Sequence, residues 1–209
     1  SLHSKIVISM TIALLLIGTV LLKATENITW LGAFFFSTSA RTAGFSTYPV
    51  GNFTNAGLFV LILLMFIGAC PGSTGGGIKT TTFYVMLKGS YSMSTGRNCS
   101  CFKRKLPNDI ISKAFVLTFL AMALVCVNTF LLTILEPEYT FIQLFFEVVS
   151  GFGTVGLSTG ITPDLSPISE FIIILTMYIG RVGPLTIASI WSFKKQSNIN
   201  YSEESITIG

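Results

Sequence analysis

Four apolar runs dominate the chain. Residues 6–22 (IVISMTIALLLIGTVLL), 42–78 and 114–135 carry no Asp, Glu, Lys or Arg, and residues 171–193 carry only Arg181. A helix needs about 20 apolar residues to cross roughly 30 Å of hydrocarbon, so each run predicts a membrane span. Two shorter apolar stretches, 27–39 and 139–150, are too short to cross but long enough to enter and return. Each leads into a Gly/Ser/Thr-rich turn, Thr-Ala-Gly-Phe-Ser-Thr at 42–47 and Thr-Val-Gly-Leu-Ser-Thr at 154–159. Irregular backbone at membrane depth persists only where protein buries it or it lines a water-filled cavity. Short helix plus turn therefore predicts a re-entrant pore loop.

The pattern repeats. A shift of 112 residues places Thr42, Gly44, Ser46 and Thr47 on Thr154, Gly156, Ser158 and Thr159. The same shift sets LILLMFIG (61–68) on IILTMYIG (173–180), with five of eight positions identical, and pairs Thr74 with Thr186 and Glu26 with Glu138. One gapless offset joining a loop motif to a helix motif predicts two copies of outer helix, pore helix, turn and inner helix, both running the same way. The expected fold is an all-α integral membrane protein of two parallel repeats. Residues 1–88 form the first (helix 6–25, pore loop 27–47, broken inner helix 53–88), and 89–112 a basic linker. Residues 113–196 form the second (helix 113–135, pore loop 139–160, inner helix 167–194), and 197–209 a polar tail.

Composition agrees. Hydrophobic residues make up 51% and charged residues 11%, against about 25% charged in a soluble domain, so lipid covers part of the surface. The net charge of +4 does not mark a nucleic-acid binder, because the basic residues flank apolar runs. His3 and Lys5 precede the first span. Lys88, Arg97, Lys103, Arg104, Lys105 and Lys113 lie between the second and third, and Lys194 and Lys195 follow the fourth. The other two connections hold Glu26, Glu136, Glu138 and Asp164, with Lys23 and Arg41 nearby. The excess of Lys and Arg puts both termini and the middle loop in the cytoplasm of the cell (inner) membrane, with both turns outside. Cys99 and Cys101 then face a reducing compartment; Cys-Ser-Cys offers a metal only two of the four ligands a zinc site uses. The chain starts with Ser rather than Met, so either its start was processed or it is a piece of something longer.

An ion leaving water loses its hydration shell, and rings of backbone carbonyls replace it. Gly44 and Gly156 suit such a backbone, since glycine aims carbonyls inward without steric cost. The ion-binding residues are therefore expected to be Thr42, Ala43, Gly44 and Phe45 in one turn and Thr154, Val155, Gly156 and Leu157 in the other, holding K+ through main-chain oxygens. Thr154-Val155-Gly156 matches the start of the potassium-channel filter sequence, and Thr42-Ala43-Gly44 is its relaxed partner.

SARTAGFST (39–47), PGSTGGGIKTTT (71–82), SGFGTVGLSTG (150–160) and MYIGRVGPLT (177–186) together resemble the third and fourth repeats of the Trk/Ktr/HKT superfamily of potassium transporters, above all the bacterial Ktr-type membrane subunit. The resemblance covers about residues 5–195. It implies potassium uptake, a homodimer, and a cytosolic nucleotide-binding regulatory ring as partner, so that nucleotide acts only through that partner and no cofactor is bound covalently. The family builds its pore from four such repeats. The two visible here are expected to be the C-terminal half of a longer chain, or one of two chains that pair.

Between Cys70 and Lys79 the second span holds Pro71, Gly72, Ser73, Thr74, Gly75, Gly76 and Gly77. Glycine costs about 1 kcal/mol and proline about 3 kcal/mol relative to alanine in a helix, so the inner helix breaks here. A phosphate-binding loop is rejected, because Ile78 separates the glycines from Lys79-Thr80 and no strand precedes them. The residues alone allow a flexible kink; the resemblance implies a gating loop beneath the filter. Arg181 is a charge inside a span, a functional candidate by default, and is expected to hydrogen-bond loop carbonyls and hold the barrier closed. Glu147, where the first copy has Phe35, is either a brace accepting backbone N–H groups behind the filter or a protonated, packed carboxyl. Rival functions are a Na+/K+ or cation-coupled secondary transporter, and a pore-less half needing a partner. An enzyme is not expected: the spans offer no His, no paired carboxylates and no HExxH.

Overall fold

The computed structural model describes residues 2–96, 99–102 and 104–183. Among them are seven α-helices in chain order: α1 Leu2–Thr25, α2 Trp30–Ser39, α3 Asn55–Phe66, α4 Thr80–Thr95, α5 Asn108–Leu135, α6 Phe141–Gly153 and α7 Pro167–Val182. Two-residue strands β1 (Ser100–Cys101) and β2 (Arg104–Lys105) pair antiparallel between α4 and α5. The 24 residues of α1 and 28 of α5 reach about 36 and 42 Å, enough to cross a bilayer. Both are apolar and turn bulky side chains outward, among them Ile12 and Leu16 on α1 and Phe119 and Phe130 on α5.

The short helices begin where their caps dictate. Thr29 accepts a hydrogen bond from the Gly32 N–H at the start of α2. Thr140 and Gln143 form a reciprocal capping box at the start of α6. After each short helix the chain runs through its turn and a single 3-10 turn, Val50–Asn52 or Thr162–Asp164. It then re-enters a helix capped by Thr54 or Ser166. From the turns onward these landmarks keep the 112-residue shift.

The shift fails at the outer helices. α1 ends at Thr25 and α5 at Leu135, and the residues that follow, Glu26 and Glu136, occupy equivalent places. Glu26 Oε1 accepts from the backbone N (2.8 Å) and hydroxyl (2.6 Å) of Thr54, and Glu136 Oε1 accepts from the backbone N of Ser166 (2.8 Å). Each carboxylate latches the start of its inner helix. The partner of Glu26 is thus Glu136, correcting the pairing with Glu138, because the second half carries two extra residues between this glutamate and its turn, one of them before the short helix.

Two other boundaries move. α4 continues past Lys88 to Thr95 and stops at Gly96, whose left-handed backbone (φ 63°) returns its N–H to Ser92 and Met93 carbonyls. Much of the expected linker 89–112 is therefore helix or hairpin, packed on α5 through the cluster of Val85, Cys99, Cys101, Leu106 and Ile111. α7 is described to Val182; the rest of the expected inner helix, Thr186 with its pairing to Thr74, Lys194, Lys195 and the polar tail lie outside the described residues, as do Arg97 and Lys103.

The main core lies where α3 meets α6, with α1 and α5 behind them. Leu61, Met65, Phe146, Val148 and Phe152 are fully buried there. Equivalent positions fare differently at the two free faces. Met65 is 0% exposed and Met177 43%, whereas Phe34 is 48% exposed and Phe146 0%.

Candidate functional site

The two glycine turns come together. A Cβ on Gly44 would overlap the Val155 carbonyl oxygen and lie 2.9 Å from its carbonyl carbon and 3.3 Å from Gly156 Cα. The turns thus meet backbone to backbone at Gly44, with no room for a side chain there, whereas a Cβ on Gly156 would meet nothing within 4 Å. Each alternates unusual conformations: φ is positive at Thr42 (105°) and Gly44 (74°), and again at Thr154 (52°) and Gly156 (93°). A β-branched residue at positive φ costs of order 1–3 kcal/mol and persists only where its surroundings over-determine it.

Those surroundings differ between the turns. In the first, the Ala43 and Gly44 N–H groups donate to the Ser39 carbonyl (2.9 and 3.1 Å), and the Ser39 hydroxyl donates to the Phe45 carbonyl. In the second, the Val155 N–H donates to the Ser150 carbonyl (3.0 Å) and the Gly156 N–H to the Ser150 hydroxyl (3.2 Å). Behind the second turn Glu147, 5% exposed, accepts at Oε1 from the Ser158 hydroxyl (2.7 Å), the Thr159 N–H (3.0 Å) and the Thr159 hydroxyl (3.3 Å). Its Oε2 accepts from the Thr162 hydroxyl (2.8 Å). At the equivalent place Phe35 meets the Phe36 ring edge-on, and Phe36 packs on Tyr48 and Phe53. The second turn is thus backed by a hydrogen-bonded carboxylate and the first by aromatic packing. Val155 and Leu157 turn their side chains inward, while Ala43 and Phe45 are exposed.

The glycine-rich segment lies against both turns. α3 ends at Phe66, and a bridge between Ile67 and Ile78, with the Ile78 N–H on the Phe66 carbonyl (3.1 Å), closes residues 67–79 into a loop. A Cβ on Gly75 would lie 2.6 Å from Thr42 Cγ2, and one on Gly76 2.8 Å from Thr154 Cγ2. The Gly76 N–H donates to Thr154 Oγ1 (2.8 Å) and the Gly77 N–H to the Phe152 carbonyl (3.2 Å). The threonines that open the two turns are thus the surfaces on which the loop rests. Gly72, Ser73 and Thr74 form its exposed tip beside Pro71.

Three cations surround the loop. Lys79, which precedes α4, donates its Nζ to the Gly75 carbonyl. Arg41, immediately before the first turn, reaches the Gly68 carbonyl with Nη2 (3.5 Å), and its guanidinium faces the Cys70 thiol. Arg181 is exposed on α7 and close enough to Lys79 to repel it, but among the described residues it donates no hydrogen bond to the loop. The expected Arg181 contact with loop carbonyls is thus replaced by contacts of Lys79 and Arg41. Arg41 was legible only as a flanking charge: its sole mark in the sequence is its place beside Thr42. The Asn128 amide, which donates to the Thr176 hydroxyl (2.6 Å) and ties α5 to α7, left no signal beyond being polar inside an apolar run.

Among the described residues no group of three or more His, Cys, Asp or Glu side chains converges to hold a metal. What the structure brings together is the backbone of the two turns, at Gly44 and Val155.

The chain belongs to the TrkH family of cation transport proteins, whose model matches residues 5–201. It is 37% identical to Ktr system potassium uptake protein B of Vibrio alginolyticus, over 99% of this chain and 48% of that protein. It is 40% identical to Ktr system potassium uptake protein D of Bacillus subtilis, over 90% of this chain and 42% of that one, and 37% identical to potassium/sodium uptake protein NtpJ of Enterococcus hirae, over 100% and 50%. The chain therefore spans about half the length of the curated relatives it matches. The crystal structure of the potassium transporter TrkH from Vibrio parahaemolyticus shares the fold, with a TM-score of 0.73 over 91% of this chain and 44% of that one, at 20% identity. Family and apolar helices together mark this as a membrane protein of a cation-transport family.

Proposed function

We propose that this chain supplies two of the four walls of a potassium-conducting pore, with the turns 42–45 and 154–157 as its selectivity filter. The observation that carries this is the backbone contact of Gly44 with Val155 directly above the glycine loop. In a regular strand successive carbonyls point in opposite directions. Alternating left-handed residues at Thr42, Gly44, Thr154 and Gly156 break that pattern and favour carbonyls turned to one side, where they replace water around a monovalent cation. On this reading α2 and α6 are re-entrant pore helices and the two halves are parallel repeats.

The unmatched faces support a ring. The contact of α3 with α6 joins one half to the next, and the faces left open at Met177 and Phe34 are the corresponding halves of that contact. Two further units of the same kind close the circle, whether they come from the same longer polypeptide or from a second copy.

The loop 67–79 acts as the barrier. Lys79 and Arg41 hold its carbonyls, Thr42 and Thr154 hold its upper edge, and Arg181 adds charge that an incoming cation must pass. Potassium moves inward down the membrane potential, worth about 2.3 kcal/mol per charge per 100 mV. The name of the Enterococcus relative, potassium/sodium uptake protein, favours a second reading in which sodium is also carried. A homodimer docked on a nucleotide-binding cytosolic ring fits the Ktr-type resemblance and belongs to the same proposal. Rubidium uptake by potassium-starved cells tests it: Gly156→Ser lowers the preference for potassium over sodium if the turn is a filter, and leaves it unchanged if it is not.

A further inference from the structure

A half-open cavity of about 370 Å³ lies away from the pore, between the first turns of α1, α4 and α5. Its base is apolar, formed by the buried residues Ile6, Val85 and Ala114, and its rim carries His3, Thr82 and Lys113. Among the described residues no carboxylate lines it. Three helix N-termini contribute to its wall, and the positive ends of their dipoles add to Lys113. This volume falls within the range of ligand pockets.

We propose that this cavity binds an anionic phospholipid of the cytoplasmic leaflet, its phosphate at Lys113 and His3 and the start of one acyl chain over Ile6, Val85 and Ala114. The charge pattern selects the occupant. A neutral lipid would leave the basic rim without a partner, and a free phosphate would leave the apolar base in water. Basic pockets between transmembrane helices on the cytoplasmic side have this chemistry. The inference rests on the inward orientation of the Lys- and Arg-rich loops and not on the filter, so either can fail alone. Its consequence is mechanical. Thr82 and Val85 lie in the opening turns of α4, directly after the loop anchored by Lys79, so a bound lipid holds α4 to α1 and α5 in the arrangement seen here.

The test is native mass spectrometry of the purified membrane protein titrated with phosphatidylglycerol, phosphatidylcholine and glycerol phosphate. The proposal expects phosphatidylglycerol to be retained about tenfold better than phosphatidylcholine, and glycerol phosphate not to compete. His3→Gln with Lys113→Gln should reduce phosphatidylglycerol to the phosphatidylcholine level, and Lys113→Arg should keep it. Ala114→Phe, which fills the base without changing charge, should expel the lipid. Equal retention of the two lipids, competition by glycerol phosphate, or an unaffected double variant overturns the proposal.

Discussion

Replacing Gly44 by alanine tests the contact between the two turns directly. At φ 74° an alanine pays the left-handed backbone penalty of about 1–2 kcal/mol. Its Cβ would also overlap the Val155 carbonyl oxygen, where ordinary contact begins near 3.4 Å, so one turn must retreat by roughly 1.5 Å. Overpacking of this kind costs a further 1–3 kcal/mol or so. The total, about 3 kcal/mol, corresponds to roughly a 100-fold loss of the native filter arrangement. The assay is rubidium uptake together with the potassium-to-sodium permeability ratio in reconstituted membranes. Gly96→Ala is the control: Gly96 also has positive φ (63°), but a Cβ there meets nothing within 4 Å and it lies at the end of α4. Gly44→Ala should depress uptake and selectivity far more than Gly96→Ala. If both variants transport alike, the turns do not form the conducting surface.

Other expectations follow from the same contacts. Glu147→Ala removes four hydrogen bonds and orphans the buried Thr159 N–H, at about 3–5 kcal/mol, so thermal melts should fall and selectivity weaken, with Glu147→Gln milder. Lys79→Met frees the Gly75 carbonyl and should raise resting rubidium leak about tenfold or more; Arg181→Ala, which leaves the described loop contacts intact, should raise it less. The Ser166 hydroxyl and N–H hold the Glu136 carboxyl below the usual carboxylate range. The latch therefore stabilises fully above the ordinary glutamate pKa and is lost as pH falls toward the lowered value. Glu136→Gln should flatten that acid-side decline in melting temperature. Asn128→Leu breaks the link to Thr176 and should lower the melting temperature slightly, since such intramembrane bonds average about 0.6 kcal/mol.

How far the residues themselves disclosed this arrangement varies by kind. The apolar runs announced α1 and α5, because span length follows from hydrocarbon thickness alone. The shift of 112 located the turns, since a glycine that must lie against backbone tolerates no drift in register. The latches of Glu26 and Glu136 were hidden by a two-residue length difference between glutamate and turn, one residue of it in the polar connection, where insertions cost little. α4 was cut short at Lys88 because polarity rises there, yet nothing in Gly-Ser-Tyr-Ser-Met-Ser-Thr stops a helix until the left-handed Gly96. Lys79 was visible as part of the glycine motif, but its grip on the Gly75 carbonyl depends on how the loop folds back. Arg41 rather than Arg181 reaches a loop carbonyl among the described residues for the same reason: depth along a span says nothing about which carbonyl lies within reach.

The central claim concerns where the cation sits. The most direct measurement is a structure of the assembled protein in rubidium or thallium, located by anomalous scattering. The account predicts a peak on the axis between the Thr42–Gly44 and Thr154–Gly156 segments, ringed by their carbonyl oxygens and above Gly75 and Gly76. A peak elsewhere, or carbonyls of both segments turned into protein with no ion between them, contradicts it.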